Sequence, residues 1–155
     1  MSFLIDRNDA ALSVRQHLEN KGYEASHSED EYGVAIEIIA KRDKEMFIVE
    51  AIGESSHKDG DIVFALCKLL RKMNEQGFWI HYGIAMPRSY LRNYLKLLKD
   101  FEVVSFETQK IHVFLFERLY ELTHLDPTKT IHLIQHLKAG DTINPALIDI
   151  GYPSI

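Results

Sequence analysis

The chain has 155 residues, 46% of them hydrophobic, enough for one globular domain with its own core. Its formal charge of -5 argues against avid, non-specific attachment to nucleic acid, since the overall field repels phosphate, although a local basic face can still bind it. The single cysteine, Cys67, excludes an internal disulfide and suits a reducing cytoplasm, and no apolar run has the length of a signal peptide or membrane span.

In chain order, Asp6 or Asn8 caps a first helix that ends near Lys21-Gly22, with Ala11, Val14 and Leu18 as a narrow apolar stripe. Ser26 to Tyr32, carrying Glu29-Asp30-Glu31, reads as an acidic loop. Ile36-Glu37-Ile38-Ile39 and Phe47-Ile48-Val49-Glu50-Ala51-Ile52 read as the two strands of a hairpin, turning through Lys41 to Glu45. A polar loop from Gly53 to Gly60 leads to a second helix, capped by Asp61 and running to about Glu75, with Ile62, Leu66, Leu69, Leu70 and Met73 facing inward. Phe78 to Met86 is a near-continuous apolar strand of the kind covered on both faces, and Pro87 opens a third helix reaching Lys99. Residues 103–106 and 111–116 read as a further hairpin. Asp126-Pro127 opens a last helix ending at Gly140, and an apolar tail follows. Helices alternating with strands and hairpins in this order predict an α/β domain with a mixed sheet.

The hairpin is the chemically informative part. Each of its apolar strands carries one carboxylate, Glu37 on the first and Glu50 on the second. Side chains repeat every second residue along a strand, so Glu50 and Ile52 share a face. An acid inside an apolar strand is costly to bury without a partner, and a hydrated divalent cation is one such partner.

This pattern resembles the core of the PD-(D/E)XK nuclease superfamily, in which an acid on one strand and an acid-x-lysine on the next hold magnesium and activate water. The resemblance implies a restriction-endonuclease-like mixed β-sheet flanked by helices over residues 1–118. A C-terminal helix and apolar tail over 119–155 would then pack on the core or on a dimer partner. It places the first acid at Glu37 and the second at Glu50, both as catalytic residues and magnesium ligands. The lysine position is occupied by Ile52. Lys58, in the loop after the second strand, is the best replacement. Lys41 lies four residues from Glu37, about 13 Å at strand rise, and Lys68 points away from the Leu66–Leu70 stripe. The helix-one acid of some superfamily members falls near Ala11, with Asp9 its neighbour.

Two functions follow from the resemblance. One is a catalytically impaired nuclease-like protein that binds nucleic acid or a protein partner on the old active-site face. The other is an active magnesium-dependent nuclease using Glu37 and Glu50, with Lys58 or a water chain replacing the missing lysine; on the impaired reading an Ile52→Lys change is expected to raise magnesium-dependent cleavage where the rest of the site is intact. On the third helix, beside an apolar stripe of Leu91, Tyr94, Leu95 and Leu98, Arg88, Arg92, Lys96 and Lys99 form a basic flank that can track a DNA or RNA backbone or remain a solvated surface. His132 and His136, spaced i, i+4, read as an exposed polar face in preference to a metal pincer. The tail Ile143, Ala146-Leu147-Ile148, Ile150 and Tyr152 predicts either self-association as a homodimer or a fold-back onto its own subunit.

Overall fold

The structure, a computed structural model, describes residues 6–29, 33–73, 79–100 and 110–138. Among these residues four helices and six strands follow in the order α1 (Arg7–Glu19), β1 (Glu24–Glu29), β2 (Ala35–Arg42), β3 (Glu45–Ile52), α2 (Lys58–Lys72), β4 (Ile80–Pro87), α3 (Leu91–Asp100), β5 (Ile111–Arg118), β6 (Glu121–Leu125) and α4 (Pro127–Lys138). The strands lie in one mixed open sheet in their chain order. The first three form an antiparallel meander, β4 and β5 run parallel to β3, and β6 returns antiparallel. The parallel pairings require crossovers, and helices provide them, α2 between β3 and β4 and α3 between β4 and β5.

Strand alternation decides which residues meet which helix. Ile36, Ile38 and Ala40 of β2, with Phe47, Val49 and Ala51 of β3, pack against Ala10, Ala11, Val14 and Leu18 of α1. The opposite parity (Ala35, Ile48, Ile52, Ile84 and Met86) packs beneath α2, α3 and α4. On α3 the buried positions are Leu91, Tyr94, Leu95 and Leu98, the stripe expected from the sequence. The helix starts are set by their caps. Asp6 accepts from the Asp9 amide at 2.8 Å, and Asp126 accepts from the Lys129 amide at 2.9 Å, with Pro127 at the first helical position.

Three elements differ from the sequence reading. The stretch assigned to an acidic loop holds β1, an edge strand whose exposed side chains supply no apolar alternation to betray it. The helix placed after Asp61 begins at Lys58. The partner of β5 is β6, reached through a turn in which Tyr120 takes φ 68°; the strand expected at residues 103–106 lies outside the described residues. The boundary at 118 therefore falls in the β5–β6 turn, and Leu133 and Ile134 of α4 belong to the same apolar cluster as α2 and α3. The tail at 141–155, and with it the expected dimer contact, lies outside the described residues. No described helix is long and apolar enough to cross a membrane.

Gly53 fixes how closely α1 approaches the end of β3. A Cβ there would lie 2.4 Å from the Arg7 backbone nitrogen and 2.6 Å from the Asp6 carbonyl carbon, and backbone cannot swing aside as a side chain can. Gly53→Ala is expected to cost about 1–3 kcal/mol in a urea melt, the usual range for overpacking. An unchanged unfolding midpoint would show that α1 docks more loosely.

Candidate functional site

Glu37 and Glu50 are direct partners in the β2–β3 ladder, so their side chains leave the sheet on one face, the face that α2 covers. Glu50 is 0% exposed and sits between buried Ile48 and Ile52; Glu37 is half-buried. Like charges directly opposite across a ladder repel, so the pair needs cationic compensation. It comes from α2. Lys68 places Nζ 3.4 Å from Glu50 Oε1, and Lys72 places Nζ 3.8 Å from the same oxygen while also ion-pairing with Glu37 Oε2. Both lysine side chains are about a quarter exposed, at 25% and 27%, so one end of the cluster faces solvent. Two carboxylates and two ammoniums sum to zero. Removing one member leaves uncompensated charge in a site where Glu50 is fully buried, a change that typically costs about 3–5 kcal/mol.

Lys68 was expected to point away, and the reason it does not is the roll of α2. Its buried residues are Ile62, Ala65, Leu66 and Leu69, while Leu70 is only partly covered. The helix is turned toward Ala65, which brings the i, i+4 pair Lys68 and Lys72 to the flank over β2 and β3. Lys58, the expected stand-in, is held in the first turn of α2 with its ammonium over the Tyr90 ring, 5.1 Å from the centroid. Because the helix starts at Lys58, the loop after β3 is limited to residues 53–57 and Lys58 is not part of it. Lys41 is exposed near the hairpin tip, and Asp9 and Ala11 belong to α1, on the far side of the sheet. Ile52 is fully buried.

The basic flank divides. Arg92 and Lys96 are exposed, Lys99 is partly covered, and Arg88 pairs with Glu117 at 3.5 Å. His132 is half-buried on α4, and the His136 side chain lies outside the described residues.

A second constellation, which no local pattern in the sequence marks, lies on the α1 face. His17 of α1 approaches His124 of β6, Nε2 to Nδ1 at 3.3 Å, and His124 uses its other nitrogen on Nδ1 of His112 at 2.8 Å. The rings pack with Phe114 and Phe47, and His81 stacks on Phe47 at 4.8 Å. Burial, then the Lys21 charge, lowers the His17 pKa to about 4. Burial, then the His81 charge, brings His112 to about 4, with Asp126 opposing. His124 falls to about 2 through burial and then the neighbouring histidines and lysines. Only the tertiary fold joins these residues, since His17 and His124 are 107 positions apart. No group of three or more His, Cys, Asp or Glu suited to a metal ion occurs among the described residues.

No family model, curated protein or solved structure matches the chain.

Proposed function

We propose that the chain is a divergent PD-(D/E)XK-type nuclease in which a lysine of α2 replaces the one missing at Ile52. The observation that carries this is the register pair Glu37–Glu50, facing one way and compensated by ammonium groups from α2. The order α1, an antiparallel three-strand meander, α2 and then a parallel β4 agrees with the helix-flanked mixed sheet that the resemblance implies. The reading of an impaired protein rested chiefly on the absent lysine, and the ion pairs of Lys68 and Lys72 with the two acids support the active reading instead.

The acid pair suits magnesium, which is commonly held by one or two carboxylates with water completing its shell. Both acids already converge on a single cationic group. When bound, the cation polarises a phosphodiester and makes its own water more acidic. Glu37 and Glu50 would hold it, and Lys68, paired with Glu50 and lying over the Phe64 ring, would stabilise the charge that builds on phosphate as water attacks. Ile48 and Ile52 keep water from the buried side of Glu50. The exposed Arg92 and Lys96 on α3 offer contacts for the nucleic-acid backbone.

The test is cleavage of end-labelled single-stranded, duplex and branched DNA and RNA with added magnesium or manganese. Glu37→Gln, Glu50→Gln and Lys68→Met are each expected to reduce the rate by roughly a hundredfold or more, while Lys58→Met leaves it near wild type. Cleavage that survives Glu50→Gln overturns the proposal. A wild type that cuts none of these substrates with either metal returns the protein to the impaired, binding-only reading.

A further inference from the structure

Lys72 differs from Lys68 in one respect. Its ammonium engages both carboxylates, Glu37 through an ion pair and Glu50 at 3.8 Å, whereas Lys68 engages Glu50 alone. The Lys72 ammonium therefore stands where the lines from two acids meet, which is the position a shared cation takes. We infer that Lys72 is a built-in occupant of the cation position, holding the two acids together in the metal-free protein and leaving when a divalent cation binds. This rests on the acid pair being a metal site.

The local structure allows the exchange. Lys72 is the last residue of α2, with the Met73 amide bonded to the Leu69 carbonyl. Its own carbonyl accepts from the Tyr82 hydroxyl at 3.1 Å, which anchors the backbone of that turn to β4. The side chain can thus swing on its four-carbon stem while the helix end stays in place, and with 27% of it already exposed it has a path to water. The charge arithmetic gives the departure a purpose. With two acids and two ammoniums the site is neutral and attracts no cation, but with Lys72 withdrawn it carries one net negative charge facing the incoming ion. Metal affinity is then coupled to the Lys72 position, because a ligand shifts a two-state equilibrium by its differential affinity for the two states.

The experiment measures binding, not cleavage. Manganese affinity is followed by electron paramagnetic resonance of the free ion, and magnesium affinity by calorimetry. Lys72→Met, which keeps most of the aliphatic stem, is expected to bind roughly 10- to 100-fold more tightly than wild type, a typical coupling range. Lys72→Arg should stay near wild type and Lys68→Met should change far less, since the bridging ammonium remains. Adding Glu50→Gln to Lys72→Met should remove the gain. A wild type that binds metal through Glu50 with Lys72→Met no tighter overturns this inference alone. Absence of binding in wild type and Lys72→Met overturns the metal reading as well. A measurement needing no variant guards against misfolding: with 15N-labelled lysine, magnesium should shift the Lys72 ammonium resonance and leave that of Lys58 in place. A static Lys72 signal at saturating magnesium overturns the exchange.

Discussion

Acidification from pH 7 to pH 5 is expected to remove roughly 3 kcal/mol of stability, because three partly buried histidines must stay neutral in the fold while one pKa unit of difference is worth about 1.4 kcal/mol per group. His17 and His112 have folded pKa values near 4 and His124 near 2, against an ordinary value of 6.5. The folded state disfavours the protonated form that the unfolded chain accepts freely. The contribution to stability is therefore complete above pH 6.5 and is lost as the pH falls from 6.5 toward 4. The full arithmetic gives a larger number; half-exposed rings and local relaxation reduce it. Geometry gives the same direction. In the row His17–His124–His112 each contact needs one donor and one acceptor, so one extra proton can be shared but a second sets N–H against N–H. Charges around the row reinforce this: Lys21 and Lys129 repel an added proton, and Asp126 alone attracts one, at His112. Urea melts from pH 7.5 to 4.5 should show stability rising with pH through this window. His124→Phe, a ring placed against Phe114 where the present stacking distance is 4.4 Å, should flatten the slope by about one proton. A wild-type midpoint independent of pH between 7 and 5 would sink the account.

How far the sequence could be read depends on whether a residue's signal is local. Glu37 and Glu50 were legible because period-two alternation of apolar neighbours defined both strands, and the short turn at Asp43-Lys44 set their register. The stripes of α1 and α3 were legible for the same reason, each having one buried face. β1 was not, because an edge strand exposed on nearly all sides carries no alternation. The roll of α2 was misread by including Leu70 and omitting Ala65, a small difference in angle that decided whether Lys68 faced water or Glu50. Apolar periodicity also does not say which long, polar side chain will reach back over a sheet, so a cationic partner for the acids was sought in a loop, whereas the lysines ion-paired with them stand at helix positions 68 and 72. The histidine row draws on α1, β5 and β6, and nothing near any of the three in sequence marks it.

Restoring a lysine at position 52 is expected to damage the protein and not to activate it, the reverse of what the motif alone suggests. Ile52 is 0% exposed and belongs to the apolar cluster beneath α2, with Ala35 opposite it on β2. Replacing it removes about 1.5–3 kcal/mol of buried apolar contribution and puts an ammonium where desolvation penalises charge, lowering the new lysine's pKa. In a site of the motif's usual form, the neighbouring acid would compensate that charge. Here Glu50 already faces Lys68 and Lys72, so a third ammonium makes the cluster net positive and opposes a divalent cation. A loss of about 3–5 kcal/mol corresponds to a fall of roughly 10 °C or more in melting temperature for a chain of this length. Cleavage should fall with it, and metal affinity should drop even where folding is rescued by osmolyte. The compensating change is Lys68→Met in the same chain, which returns the cluster to neutrality and should recover part of the lost stability and metal affinity. An Ile52→Lys protein that melts with wild type and cuts faster would show that position 52 still opens onto the phosphate, and that the lysines of α2 are only counter-ions.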